Sequence, residues 1–168
     1  PNNNGINFVG YSNSSSLFGA LISKQIDVLL SNSIDDSQRN SLLLLSKDKK
    51  IKEGNSPANE ISFISLRTNI YPLNNQNVRL ALAKSLNRKS ISEKVSYGLR
   101  SPSRSIVPPI LKKNNLELWP KYDPLEAKNL LIKEGFCKEK ILEIPLTYRS
   151  NVPADKLIAL TWQEEIKN

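Results

Sequence analysis

The 168 residues contain no His and a single Cys, Cys137. Without an imidazole there is no Ser-His-Asp or Cys-His nucleophile, and no His- or Cys-rich zinc site, within the chain. Cys137 lies beside Lys138 and Lys140, and such cations favour a thiolate. The plainer reading is a small core residue after a helix. The carboxylates are dispersed. Asp35 and Asp36 are adjacent, so they point to different sides of a helix. Glu164 and Glu165 are expected on the solvent side of the last helix. No G-x-x-x-x-G-K-[ST] or G-x-G-x-x-G pattern provides a phosphate cradle. Asn13-Ser14-Ser15 fits a glycosylation sequon, a pattern that chance often produces. No catalytic residue, cofactor or metal site is assigned, and the chain reads as a non-enzyme.

What remains is binding chemistry. Residues 61–68 alternate as a strand would: Ile61, Phe63, Ser65 and Arg67 share one face, and Ser62, Ile64, Leu66 and Thr68 the other. Ile64 and Leu66 suit a core. Phe63, Ser65 and Arg67 combine apolar, hydroxyl and cationic groups, the mixture found on a cleft wall. An extended peptide could bond to such a strand's main chain, and Arg67 could grip a ligand carboxylate with two parallel bonds. The competing reading is a surface strand with a solvated Arg67. Trp119, in a loop, is balanced between a site wall and the core, whereas Trp162 is expected in the core. The candidate ligand-binding residues are Phe63, Ser65, Arg67, Asn69 and Trp119.

Charge narrows the partners. Of 24 basic and 16 acidic residues, the excess of eight lies in residues 61–120, which hold ten Lys/Arg and only Glu93 and Glu117. A basic segment can meet phosphate, an anionic membrane or an anionic ligand. The few aromatics there (Phe63, Tyr71, Tyr97, Trp119) are not interleaved with the cations as a base-stacking platform requires. A nucleic-acid-binding module is therefore the second reading.

The elements that must position these residues follow from the patterns along the chain. At 39% hydrophobic and 24% charged residues the composition is globular, and the length suits one domain or a piece of a larger protein. With Pro1 first and no Met, the chain reads as a processed or trimmed fragment. Short strands are expected at 6–9, 26–30, 61–68 and 141–146. Ser14 to Ser16 can cap a helix bearing Leu17, Leu21 and Ile22, and Ser33-Ile34-Asp35-Asp36 resembles a capping box for a helix running to Leu45. Val78, Leu82 and Leu86 repeat on a third helix. Asn87 caps a fourth with Ile91 and Val95, closed by Gly98, and these two helices are expected to pack as a pair. Residues 99–120 form a long Pro- and Ser-containing loop. Asp123-Pro124 with Glu126 opens a fifth helix, which Gly135 and Phe136 close. Pro153 opens a sixth, with Ile158, Trp162 and Ile166 on one face.

Four of these segments, in order, carry a resemblance. Leu21-Ile22-Ser23-Lys24-Gln25-Ile26-Asp27 is similar to a helix leading into a strand, with Lys24 at a usual Gly. Residues 63–69, then Pro72-Leu73 and the run from Val78 through Arg79, Ala81, Leu82, Ala83 and Asn87 to Arg88, resemble "N-(few)-P-F-x-D-x-R-V-R-x-A-L-x-x-A-I-D-R". Tyr97-Gly98 with Val107-Pro108-Pro109 resembles "G-x-x-x-P-A-x-x-x-I-P-P". Tyr122-Asp123-Pro124-Leu125-Glu126-Ala127-Lys128 with Glu134-Gly135-Phe136 resembles "Y-D-P-E-K-A-K-x-L-L-x-x-A-G-F". Together they resemble the bacterial extracytoplasmic solute-binding proteins of ABC importers, in the class that takes up oligopeptides, dipeptides and nickel.

The resemblance implies an α/β chain, part of a two-lobed periplasmic-binding-protein-like fold, a mixed sheet with flanking helices. Residues 1–60 would end the first lobe, 61–68 would be a lobe-crossing strand, and 69–168 would begin the second lobe. It implies capture of a peptide or other small solute for a membrane ABC permease, by a monomer with no cofactor and no nucleic acid. The place implied is the periplasm or the outer face of the cytoplasmic membrane, there as a lipoprotein. A peptide-sensing relative without a transport role is the remaining alternative.

Overall fold

The computed structural model describes residues 5–30, 33–54, 60–111, 118–137 and 139–167. Two compact units divide the chain, one over Pro1–Glu53 and one over Gly54–Asn168. The described residues form α-helices and a short 3-10 turn at Pro109–Leu111, with no strand and no sheet. The expected α/β fold with a mixed sheet is thereby corrected.

The reason for the miss is physical. A strand is defined by pairing, because its N–H and C=O groups need a neighbour about 4.8 Å away. None of the segments 6–9, 26–30, 61–68 or 141–146 has such a neighbour among the described residues. Alternation nevertheless persists in two of them. Ile64 and Leu66, and likewise Leu142 and Ile144, are half-buried against the core, whereas Phe63 and Ile141 are exposed. The pattern reported one-sided burial, which needs no ladder.

In the first unit α1 spans Ser14–Ile22 and α2 Asp36–Lys47. The cap of α1 is Asn13, whose side chain accepts the Ser16 N–H at 2.8 Å, one residue before the expected serines. The capping box of α2 also lies further along than expected. Asp35 accepts from the Gln38 N–H at 2.8 Å, and Gln38 Oε1 accepts the Asp35 N–H at 3.1 Å. The longer Gln side chain three positions into the helix can reach back in this way.

The second unit holds α3 (Gln76–Ser85), α4 (Arg88–Ser96), α5 (Pro124–Lys133) and α6 (Pro153–Glu165). Its core is Val78, Leu82, Ile91, Val95, Phe136 and Trp162, with Val78 wholly dry. The residues expected to join α3 and α4 do share this core, but the helices pair otherwise: α3 packs on α5, and α4 on α6. Leu86 and Asn87 are all that separates α3 from α4, yet each helix packs chiefly on one of the later helices. Trp162 is buried as expected, and its indole N–H donates to Ser85 Oγ at 3.2 Å, tying α6 to the end of α3.

Helix α5 shows how completely local sequence can define an element. Asp123 accepts the Glu126 N–H at 2.9 Å, and Pro124 stands first, where its missing N–H costs nothing. At the other end Gly135 takes φ +82°. The Gly135 N–H then donates to Ile132 C=O at 3.0 Å and the Phe136 N–H to Leu131 C=O at 2.9 Å, the paired bonds of a Schellman closure. Phe136 and Leu131 both pack on the core, so the same closure delivers an aromatic ring to it. Replacing Asp123 by Ala should lower stability by about 0.5–2 kcal/mol, read as a fall in the urea midpoint with the slope unchanged. An unmoved midpoint would mean that this cap contributes nothing.

Candidate functional site

Residues 61–69 approach the second unit's core with one side only. Ile64 and Leu66 hold the segment down, while Phe63 (68% exposed), Ser65, Arg67 and Asn69 face solvent. The turn that follows is fixed from within α3: Arg79 Nη1 donates to Leu73 C=O at 2.8 Å and to Asn74 C=O at 3.0 Å. Asn75 then caps α3, its side-chain oxygen accepting the Asn77 N–H at 2.8 Å. The mixed face at 63, 65 and 67 therefore leads into a firmly held turn.

The ends of α3 and α5 carry matched polar contacts. At the N-terminus of α3, Asn75 and Asn77 both donate to the Glu134 carboxylate, the latter at 2.6 Å. A negative charge belongs at that end of a helix dipole. At the other end Lys84 pairs with Glu126, and the Asp123 N–H donates to Lys84 C=O at 2.9 Å. The two helices thus run antiparallel, joined by amide–carboxylate bonds at one end and by an ion pair at the other. Periodicity does not reveal such contacts, which join residues some 40 to 60 positions apart.

Glu165 corrects an expectation. Instead of facing solvent it is largely buried between α4 and α6, where Oε1 accepts from Ser90 Oγ and, at 3.2 Å, from Lys94 Nζ. Its Oε2 has no partner among the described residues. Of the adjacent pair, Glu164 does face solvent. Cys137 is likewise exposed rather than in the core, and its thiol donates to Glu139 Oε2 at 2.8 Å. That bond holds the Glu139 carboxyl below its usual range.

Trp119 lies at the far end of the loop after α4 and is 43% exposed. Arg104 brackets its peptide unit. The Arg104 guanidinium donates twice to Trp119 C=O, at 2.8 and 3.1 Å, and Arg104 C=O accepts the Trp119 N–H at 3.0 Å. Arg88 Nη1 donates to the next carbonyl, Pro120 C=O, at 3.1 Å. Burial and the nearby Arg104 charge both push the Arg88 guanidinium below its ordinary pKa, burial more strongly. Ahead of α6, Arg149 grips Asp155 with two bonds, at 2.7 and 3.3 Å. This draws the Asp155 carboxyl below the usual aspartate range and raises Arg149.

The structure does not gather the five candidate residues into one closed pocket. A hollow of about 320 Å³ opens among Tyr71, Pro72, Phe136, Lys140, Ile141, Leu142 and Glu143, with Lys140 Nζ 5.3 Å from the Phe136 ring centre. None of the five candidates lines it. Among the described residues no cluster of His, Cys, Asp and Glu could hold a metal ion, and no helix is long and apolar enough to cross a membrane.

Comparison with known proteins adds to this geometry. The family model "Bacterial extracellular solute-binding proteins, family 5 Middle" matches residues 1–168. A glutathione-binding protein, GsiB, of Escherichia coli O6:K15:H31 (strain 536 / UPEC) is 35% identical over 94 residues, which is 55% of this chain and 18% of that protein. The proteins of the same name from Escherichia coli strain K12 and Salmonella choleraesuis strain SC-B67 are 34% and 33% identical over the same shares. The matched stretch thus spans less than a fifth of these relatives' length.

Two outcomes follow from the geometry. Ser65→Ala and Arg67→Ala should each leave the unfolding midpoint within about 0.5 kcal/mol of wild type, since both side chains are exposed; a larger loss in denaturant titration would show a hidden structural role. For Asp155 the sign is that of a depressed carboxyl. Its contribution to stability is present above the unfolded value of about 3.9 and is lost as pH falls through the lower folded value. Asp155→Asn should flatten that acid limb of the thermal-midpoint profile, and an identical limb in the variant would show that the pair does not contribute.

Proposed function

The chain belongs to the bacterial extracellular solute-binding proteins of family 5, and from that premise we propose that the whole protein captures a small peptide-like solute outside the cytoplasm for an ABC permease. Binding is then the protein's whole task, with no bond made or broken. Residues 1–60 belong to one lobe and 69–168 to the next, with 61–68 as an irregular connection between them. The protein works as a monomer, in the periplasm or held at the outer face of the membrane by a lipid anchor.

One observation carries the reading: the family match extends over all 168 residues rather than over one motif. The character of residues 61–69 supports it. Phe63, Ser65, Arg67 and Asn69 present apolar, hydroxyl, cationic and amide groups to solvent from a segment anchored by Ile64 and Leu66. Such a surface offers both main-chain and side-chain bonds to an extended solute. Similarity to proteins named for glutathione makes a short thiol-containing peptide the first solute to try.

The full-length protein should give saturable heat with reduced glutathione or with di- and tripeptides in calorimetry. Arg67→Ala and Ser65→Ala should each weaken that binding, by roughly 1.5–3 kcal/mol where the lost bond met a charge. A protein that ignores all these solutes, yet binds DNA with an affinity that falls steeply as salt rises, would sink the transport reading in favour of the basic-module one.

A further inference from the structure

The hollow between the Tyr71-Pro72 turn and the chain after α5 encloses about 320 Å³, the lower end of the range that small-molecule clefts span. Pro72, Phe136 and Leu142 line it with apolar surface. Lys140 and Glu143 bring it one cation and one anion, both exposed. The Lys140 ammonium stands 5.3 Å from the Phe136 ring centre. Among the described residues, neither that ammonium nor the Glu143 carboxylate has a hydrogen-bond or ion-pair partner. Between the two charges runs bare main chain. Leu142 packs on the core while Ile141 and Glu143 turn outward, the alternation of extended backbone. The peptide groups of Ile141, Leu142 and Glu143 make no hydrogen bond among the described residues, and such groups are strong donors and acceptors that gain from a partner. From Lys140 to Glu143 the chain advances three residues, about 10 Å when extended. An extended tripeptide separates its two charged ends by about the same distance.

Building on the proposed solute capture, we infer that this hollow is a second peptide site, which holds a tripeptide with free ends antiparallel to residues 140–143. The peptide's C-terminal carboxylate meets Lys140 and its N-terminal ammonium meets Glu143, each through a charge-assisted bond. Its peptide groups bond to those of 141–143, as an added strand bonds to an edge. A side chain pointing inward rests on Phe136 and Pro72. Charge fixes the direction, because a reversed peptide would set like charges against each other. Such a site reads the length and the two ends of its ligand and is tolerant of its sequence. It is separate from the outward face at 61–69, since neither Ser65 nor Arg67 lines the hollow.

The test uses full-length protein carrying Arg67→Ala, which disables the face at 61–69. The probe is the tripeptide Ala-Leu-Ala with free ends, compared with its C-terminal amide and its N-acetyl form. Calorimetry should show saturable binding of the free tripeptide and about tenfold weaker binding of either blocked form. Lys140→Gln, added to this background, should weaken the free tripeptide by a similar factor and leave the amide unchanged. Glu143→Gln should weaken the free tripeptide likewise and leave the N-acetyl form unchanged. Both side chains are exposed, and thermal midpoints check that the variants are folded. Free and blocked forms bound equally, or a free tripeptide bound as tightly by both variants, overturns the hollow as a peptide site. So does a tripeptide that the Arg67→Ala protein ignores while wild type binds it or reduced glutathione, and the capture reading then still stands. A wild-type protein that binds neither the tripeptide nor glutathione overturns the capture reading and this site together.

Discussion

The second unit depends on keeping one short helix dry along one face. Val78 is fully buried, with Ala81 and Leu82 beside it on α3. Around them gather Ile91 and Val95 from α4, Phe136 from the end of α5 and Trp162 from α6. Full burial of a Val, Leu, Ile or Phe side chain stabilises by about 1.5–3 kcal/mol each. An exposed ion pair contributes about 0–1 kcal/mol. The apolar face therefore supplies the cohesion. The polar contacts at the helix ends, Lys84 with Glu126 and Glu134 with Asn75 and Asn77, select among arrangements that would bury the same face. They favour the antiparallel setting of α3 and α5 over any other.

Small residues make this arrangement possible. Ala81 on α3 and Ala127 on α5 are both almost wholly buried, and side chains of one carbon let two helices approach closely. The short helices need such support. Among the described residues no helix exceeds 13 residues, and helices of that length are marginal in water by themselves. Side-chain caps define where α3, α4 and α5 begin, and the shared core is what keeps the helices of the second unit formed.

The legible part of this molecule is the part written in neighbouring residues. Asn87, Asp123, Pro124, Gly135 and Phe136 act within one turn of themselves, and their roles could be read directly. Val78, Leu82, Ile91 and Val95 were readable as core because helical periodicity reports burial. Two kinds of feature were not readable. Sheet formation depends on a second segment, so the alternation at 61–68 and 141–146 indicated a buried side without supplying a partner. Contacts between distant positions left no periodic trace: nothing near Glu165 announces Ser90 and Lys94, and nothing near Arg88 announces Pro120. Of the candidate site, the exposure of Phe63, Ser65 and Arg67 follows from the alternation. The bracketing of Trp119 by Arg104 does not follow from any local pattern.

The one-sided anchoring of residues 61–69 has an evolutionary consequence. Ile64 and Leu66 hold this stretch to the core, and the outward positions between them contribute almost nothing to that hold. Substitutions at 63, 65 and 67 can accumulate without passing through a misfolded intermediate. The outward side chains of this stretch can therefore diverge among descendants while the scaffold stays constant, because selection acts on the two sets of side chains separately.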